Sequence, residues 1–303
     1  MVKTKPAVKK RLNETEYKKR MFAYLSLLPV LIIYIFLRIL PILQNFLYSF
    51  FNSTVVNPLA DFAGFSNYIE LFKDKLFLIS LKNTTLFAVF VTLFSVLIAL
   101  IVSVLLSGRT WAGAFYETVY FLPVITPMVP VAVVWKWIYD PTYGLLNYVL
   151  SWFGVKPLAW LVYPNLAMWA IIIMSVWKVI GYNMVIFLVG IRDIPDSYIE
   201  ASMIDGANRF QIVRLIILPL LRPIMLFVIV ISTINAYNVF TQVFIMTSGG
   251  PANSTQILST YIFTTAFKKL DFGYASTLAV ALLLILFVYA VLVMALRKRL
   301  VKL

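Results

Sequence analysis

The sequence predicts an all-α integral membrane protein with six transmembrane helices, and three observations support this prediction. Of the 303 residues, 62% are hydrophobic, and the mean hydropathy is +0.93, which is far above the range of soluble domains. Six apolar stretches are each long enough to provide the roughly 20 residues that cross a bilayer. Nearly all the basic residues lie in the segments that flank these stretches.

The chain opens with a polar flank at residues 1–20, which carries eight Lys or Arg residues against two Glu. This composition is typical of a cytoplasmic segment that is not translocated. The first apolar stretch, 21–43, is longer than the core of a cleavable signal and lacks a small-x-small exit, so it predicts a retained span. The remaining predicted spans are 83–106, 118–139, 166–191, 219–246 and 274–296.

The distribution of charge predicts the orientation of these spans. The segments 1–20, 107–117, 192–222 and 297–303 hold eight, one, four and four Lys or Arg residues, whereas the opposite loops 44–82, 136–165 and 248–272 hold three, two and two. Because basic loops remain inside, both termini are predicted to be cytoplasmic, including the short basic tail 297–303. The transmembrane domain is then 21–296.

Several functional classes are disfavoured by what the sequence lacks. It has no Cys and no His, which argues against thiol chemistry and against a His-dependent or metal-dependent enzyme. It has no GxxxxGK[ST] motif, so ATP would have to be bound by another subunit. The net charge of +14 is concentrated near the two ends rather than interleaved with aromatic residues, so it does not indicate nucleic-acid binding.

The most informative segment is 195–223, PDSYIEASMIDGANRFQIVRLIILPLLRP, which lies between the fourth and fifth spans. Ser197 and Glu200 have the spacing of a capping box, which predicts a short helix starting near Tyr198. Asp205-Gly206 predicts its end, and Asn208 with Gln211 can cap a second helix.

The second helix of this segment is predicted to be amphipathic, with Phe210, Val213 and Ile217 on one face. Residues 192–222 carry four basic and four acidic side chains, so the segment is neutral overall. It is therefore interpreted as a surface that faces a protein.

The pattern E-A-S-M-x-D-G-A-x-x-x-x-F…L-P-x-x-x-P in this segment resembles the coupling loop of the membrane subunits of ATP-binding-cassette (ABC) importers, and the sequence is identified as a member of this family. Asn83-Thr84, Phe121-Leu122-Pro123 and Gly249-Gly250-Pro251 resemble its carbohydrate-type branch. The resemblance implies a type I importer fold. It also implies that the residues contacting the ATPase are Glu200, Ala201, Ser202, Asp205, Gly206, Ala207 and Phe210.

The resemblance further implies a permease subunit in a prokaryotic inner membrane, without enzymatic activity or a cofactor of its own. The implied partners are a second permease, two ATPase subunits that bind ATP, an extracytoplasmic solute-binding protein and a carbohydrate substrate. In the maltose permease, the spans on either side of the loop contact the sugar. Counting back from Glu200, the matching positions before the loop are Ser175, Val179 and Tyr182, of which only the tyrosine keeps its chemistry, and Asn235 and Asn238 are candidates after it. With the other polar residues at membrane depth, the predicted substrate-path residues are Ser175, Lys178, Tyr182, Asn183, Asn235, Tyr237 and Asn238.

Two interpretations of these polar residues remain open, because Ser and Asn side chains also join helices in membranes. Lys178 could donate to a neutral sugar, or it could pair with a phosphate or a uronate, which would favour a glycerol phosphate or another anionic polyol as the substrate. It could equally reach an interface or contact a partner subunit. The alternatives from other classes are a self-contained channel, an ion-coupled transporter and a membrane enzyme. No Asp or Glu lies inside a predicted span, which disfavours proton coupling.

Overall fold

The computed structural model describes residues 14–54, 56–57, 59–108 and 111–300. Regular structure in these ranges is helical, apart from one isolated antiparallel bridge between Phe51 and Phe62. In chain order the helices are α1 (Glu14–Tyr34), α2 (Leu40–Tyr48), α3 (Ser66–Lys73), α4 (Lys75–Leu105), α5 (Trp111–Ile125), α6 (Met128–Ile138), α7 (Leu145–Ser151), α8 (Pro164–Arg192), α9 (Asp196–Ile204), α10 (Arg209–Ile212), α11 (Leu218–Leu220), α12 (Arg222–Tyr237), α13 (Thr241–Met246), α14 (Leu258–Phe263) and α15 (Phe272–Leu300). Three π-helical turns, Ile35–Ile39, Val213–Ile217 and Thr264–Lys268, continue α1, α10 and α14.

Among the described residues, five helices are long and apolar enough to cross a membrane, and a sixth crossing is available if a bent pair forms one span. This agrees with the predicted all-α membrane fold. The five are Glu16–Tyr48, Lys75–Leu105, Pro164–Arg192, Arg222–Met246 and Phe272–Ala295.

The third predicted span, 118–139, is not a continuous helix. Gly113–Ile125 and Met128–Ile138 meet at an angle of 99°. Pro127 lies at the junction with φ −59° and ψ 142°, outside the helical region, and neither Pro123 nor Pro127 can donate a backbone hydrogen bond. The sequence-based boundaries placed both prolines inside one span and missed the break.

Two other predicted spans also differ from the structure, the second in where its helix starts and the fifth in its continuity. The second helix starts at Lys75 rather than at residue 83, because the Asp74 carboxylate caps it by accepting from the Leu76 amide at 2.8 Å. The fifth helix is interrupted between α12 and α13, where Phe240 has φ −144° and ψ −63°. Just before this break the Asn238 amide donates to the Ile234 carbonyl at 2.8 Å, a side-chain bond that competes with the helical pattern.

The core of the molecule forms around α8, which packs along α4 and also touches α5 and α12. In the most apolar window of α8, 61% of the residues are buried, whereas none is buried in the corresponding window of the first helix. The first helix is therefore outside the core, and its second half, α2, lies along α15.

The end of the molecule opposite the 195–223 segment, here called the far face, is held together by Asp74. Its carboxylate accepts hydrogen bonds from the Tyr261 hydroxyl at 2.5 Å and the Tyr274 hydroxyl at 2.7 Å. Burial alone would raise the pKa of Asp74, but these two bonds and two backbone amides stabilise the charged form, so the pKa lies below its usual 3.8. One carboxylate thus joins the starts of α4 and α15 to α14.

Candidate functional site

The segment 195–223 forms a helical hairpin at the end of α8, on what is here called the loop face. The predicted capping box of Ser197 and Glu200 is wrong, since α9 begins at Asp196 with Pro195 as its N-cap and without a side-chain cap. A proline with φ −58° already sets the backbone for helix entry, and the Asp196 carboxylate stands in the first turn, where the helix dipole favours it.

The predicted turn of this hairpin is confirmed. Gly206 has φ +80°, and its amide donates to the Met203 carbonyl at 3.0 Å, while the Ala207 amide donates to the Ser202 carbonyl at 2.9 Å. The left-handed glycine and this pair of bonds end α9. The capping box of Asn208 and Gln211 is also confirmed, with bonds of 2.8 and 2.9 Å.

The apolar face of the second helix differs from the prediction. Ile212 and Ile217 are buried against Ile191 and Ile194, but Phe210 is 72% exposed. The cause is the π-helical turn Val213–Ile217, which adds one residue between Phe210 and Ile217, so that these two side chains no longer share one face. Phe210 is consequently presented outwards.

The predicted coupling residues lie together on this hairpin. Glu200, Ala201, Asp205, Gly206 and Phe210 are exposed, and the Ser202 and Ala207 side chains are half-buried. Exposed Tyr198, Met203 and Ile204 surround them. A contiguous apolar and acidic knob of this kind is typical of a protein-binding surface.

The loop face is braced against the broken third span by an ion pair. The Arg192 guanidinium at the end of α8 lies 2.5 Å from the Glu117 carboxylate of α5. Because both side chains are partly exposed, the pair orients the helix ends more than it stabilises the fold.

A cavity of about 440 Å³ lies beside α8 and α12, at the level of the breaks in the third and fifth spans. Six of the seven predicted substrate-path residues line it: Ser175, Lys178, Tyr182, Asn183, Asn235 and Asn238. The seventh, Tyr237, does not line this cavity, and its hydroxyl lies 3.0 Å from that of Thr85 on α4.

Some of the polar groups in the cavity wall are joined to one another across helices. The Asn183 amide donates to Ser95 at 3.2 Å, and its carbonyl accepts from Ser232 at 3.1 Å. The Gln242 amide donates to Ser175 at 3.3 Å. These bonds satisfy the polar atoms and hold α4, α8, α12 and α13 together, as interhelical bonds do in membranes.

Tyr182 and Asn235 differ from the other predicted substrate-path residues of the cavity. Tyr182 is 42% exposed and Asn235 is exposed, and neither side chain forms a hydrogen bond within the part of the chain that the structure describes. They are therefore among the polar groups of this wall that are free to bind a hydroxylated ligand.

Lys178 has a different environment from either alternative that the sequence left open. It is only 7% exposed, and its ammonium donates to the carbonyls of Pro123, Val124 and Thr126. These carbonyls lie at the broken end of α5, where the helix dipole favours a cation and where, among the described residues, only the Pro123 carbonyl has a backbone partner, the Thr126 amide at 3.3 Å. Since an ammonium has three N–H donors, all of them are engaged.

Gly181 makes the close approach of α8 and α5 possible. A Cβ atom at this position would lie 2.0 Å from the carbonyl oxygen of Tyr120. The two helices are thus in contact at Gly181 and bonded through Lys178, less than one turn apart.

Sequence reasoning missed the contribution of α4 to the cavity. Phe87, Val91 and Ser95 line it. The available signal was a stripe of small or polar residues at helical spacing, namely Thr84, Ala88, Thr92, Ser95 and Ala99, all of which are buried. Among the described residues there is no group of three or more His, Cys, Asp or Glu side chains that could hold a metal ion.

The chain is similar to a known protein family and to individual transport proteins. Residues 84–302 match the family described as the binding-protein-dependent transport system inner membrane component. A probable ABC transporter permease of Bacillus subtilis is 36% identical, covering 88% of this chain and 93% of the relative. The permease of the diacetylchitobiose uptake system of Streptomyces coelicolor is 35% identical, covering 90% and 82%.

The fold is shared with a solved structure. A chain of a bacterial alginate ABC transporter, crystallised with a periplasmic protein bound to an alginate pentasaccharide, matches with a TM-score of 0.84 over 95% of this chain and 98% of that chain, at 21% identity. The apolar helices and the hairpin on the loop face are consistent with the family match. The chain therefore belongs to the family of multi-pass inner membrane components of binding-protein-dependent ABC transport systems, within its sugar-permease branch.

Proposed function

We propose that this chain forms, with a second permease, the path by which a sugar or oligosaccharide is imported, and that the hairpin 195–223 couples the path to ATP hydrolysis on partner subunits. One observation carries the proposal. The cavity wall includes side chains of α8 and α12, and these are the two helices that the hairpin joins. A displacement of the hairpin is therefore transmitted directly to the cavity wall.

The dimensions and chemistry of the cavity support a sugar as the substrate. Its volume of about 440 Å³ is within the range of small-molecule sites. Tyr182 combines a ring face with a free hydroxyl, and Asn235 offers both a donor and an acceptor, which suits a ring that has an apolar face and a rim of hydroxyls. Lys178 lends no support to an anionic polyol, since its donors are occupied within the chain.

The coupling role is supported by the exposed knob around Glu200, Asp205 and Phe210. In this proposal both termini are cytoplasmic, with basic flanks at 1–20 and 297–303, and the loop face meets the ATPase subunits. The partners are a second permease, two ATPase subunits that bind ATP and an extracytoplasmic solute-binding protein. The alternating opening of the cavity follows from closure of the ATPases.

The test is reconstitution of the complex in liposomes with its binding protein and measurement of which solutes raise its ATPase rate. A sugar that stimulates ATP hydrolysis and accumulates inside supports the proposal. Uptake without ATP would instead indicate a channel or an ion-coupled transporter. A cysteine at Asn208 that is labelled from the outer side would contradict the orientation.

A further inference from the structure

Five phenylalanine rings form a continuous contact chain from the cavity to the far face, and we call them the phenylalanine ladder: Phe240, Phe244, Phe263, Phe267 and Phe272. The ring centroids of Phe240 and Phe263 are 5.2 Å apart, those of Phe263 and Phe267 are 5.1 Å apart, and those of Phe267 and Phe272 are 5.9 Å apart. Phe244 packs against both Phe240 and Phe263. The ladder begins in the break of the fifth span and ends at the start of α15.

A surface groove of about 310 Å³ runs along this ladder. It is lined by Phe240, Ser259, Ile262, Phe263 and Phe267. Phe240 also lines the central cavity, so the groove and the cavity share one wall. The groove combines ring faces with one hydroxyl, that of Ser259, which makes no hydrogen bond in the described structure. Sites for small hydroxylated ligands have this composition, with aromatic walls and few polar groups.

Contact with lipid does not account for the aromatic lining of this groove. Phe263 and Phe267 belong to the segment 247–271, which connects the last two apolar helices and lies outside both. The next residues, Lys268 and Lys269, are exposed, which is typical of an aqueous edge. At such an edge membrane proteins favour Trp and Tyr, whose polar atoms reach water, whereas Phe has none. Phe267, which is 63% exposed, forms a contiguous aromatic patch with Phe263 and Phe240, and contiguous apolar patches mark binding surfaces.

One side of the groove is held rigidly. Helix α14, which carries Phe263, is tied to α4 by a bond of 2.9 Å from the Leu258 amide to the Thr84 hydroxyl. The Tyr261 hydroxyl of the same helix donates to Asp74 at 2.5 Å. A preorganised ring surface loses little entropy when a ligand binds to it. Phe240, in contrast, stands in irregular backbone between α12 and α13.

We propose that the phenylalanine ladder and its groove are an outer subsite for a sugar ring, and that the substrate is an oligosaccharide. One ring rests on Phe263 and Phe267, with the Ser259 hydroxyl bonding to its rim, while the preceding ring reaches past Phe240 into the cavity. A sugar ring has a face of C–H groups that carries partial positive charge, and this face is attracted to the negative face of an aromatic ring. The proposal rests on the proposed function and specifies its substrate class.

The test compares substrates of increasing length on the reconstituted complex. The probes are chito-oligosaccharides and malto-oligosaccharides from the disaccharide to the tetrasaccharide, with glycerol 3-phosphate as a probe without a ring. The variants are Phe267→Ala and Phe267→Leu, of which the second retains apolar bulk and removes only the ring face. The matched control is Phe287→Ala, because Phe287 is also 63% exposed but lies within α15, away from the groove.

Both Phe267 variants are expected to raise the half-saturating concentration of the longer sugars by roughly three- to tenfold, the effect of one lost ring contact. The disaccharide should be affected less than twofold, and Phe287→Ala should match the parent with every sugar. Co-purification of the second permease and the ATPase subunits should be unchanged in all three variants.

Four results would overturn this inference. These are an equal change for all lengths of sugar, no change for any of them, loss of the second permease from complexes with Phe267→Leu, and stimulation of the parent complex by glycerol 3-phosphate alone. The third would identify the ladder as a subunit interface. Failure of the proposed function looks different, because the parent complex itself would then respond to none of the probes, and the outer subsite would fall with it.

Discussion

Replacing Lys178 by methionine tests how the broken third span is held. The methionine keeps the apolar stem but removes the ammonium that donates to the carbonyls of Pro123, Val124 and Thr126. A buried carbonyl without a partner costs roughly 1–3 kcal/mol. Water from the cavity can solvate some of the three carbonyls, and the variant no longer carries the cost of a buried charge. Both effects reduce the loss of stability. We therefore expect a net loss of about 2–4 kcal/mol in the free energy of unfolding.

The assay is thermal unfolding of the purified chain in detergent, combined with uptake by the reconstituted complex. The expected loss corresponds to a decrease of roughly 4–10 °C in Tm. Uptake of neutral and anionic solutes should decrease together, because the shape of the cavity is disturbed rather than a substrate contact. The matched control is Lys136→Met, which removes an exposed lysine from α6, on the other side of the same break, and should change Tm by less than about 1 °C.

The reasoning is refuted if Lys178→Met unfolds at the parent temperature and loses uptake of anionic solutes only. Lysine would then act on the substrate, which is the charge-pairing role that the sequence left open. Lys178→Arg gives a further check, since it keeps the charge but places a planar guanidinium among carbonyls arranged around a point charge. We expect it to recover part of the lost stability.

Three further perturbations follow from the same structure. Tyr182→Phe and Asn235→Ala should each raise the half-saturating sugar concentration by roughly fivefold to thirtyfold with unchanged Tm. Ser232→Ala, in contrast, breaks the bond to Asn183 and should lower Tm. Unchanged uptake in the first two variants would show that Tyr182 and Asn235 do not contact the substrate. Gly206→Val should cost about 1–2 kcal/mol locally from the backbone strain at φ +80° alone, since no atom lies within 4 Å to add a clash. Both this variant and Glu200→Ala should uncouple ATPase stimulation from uptake. Normal uptake in Gly206→Val would contradict the coupling role. The lowered pKa of Asp74 predicts a contribution to stability that is fully present above the unfolded pKa of 3.8 and is lost as the pH falls through the lower folded pKa. Tm measured against pH should therefore show this acid loss in the parent and not in Asp74→Asn. Identical profiles would exclude Asp74 as its source.

The sequence predicted most of what depends on composition and local chemistry. Hydropathy located the five long apolar helices of the described residues, and the turn at Gly206 and the cap at Asn208 followed from residues whose preferences are nearly independent of context. The polar residues of the spans that flank the 195–223 segment included six that line the cavity.

The features that were missed depend on tertiary contacts. The bend at Pro127 is held by Lys178, which is 51 residues further along the chain, and no local pattern joins the two. The outward position of Phe210 results from a π-helical turn, which a strict helical period does not anticipate. Ser95 was overlooked because a small residue in an apolar span is uninformative until its partner, Asn183, is known.

The exposed first helix has a consequence for how this chain is covered in the membrane. Its most apolar window buries none of its residues against the rest of the chain, and its second half lies along α15. Substitutions along that window thus carry no penalty in the packing of the core. The apolar side chains of this helix must instead be covered by lipid or by another protein, since exposure of so many to water would be costly.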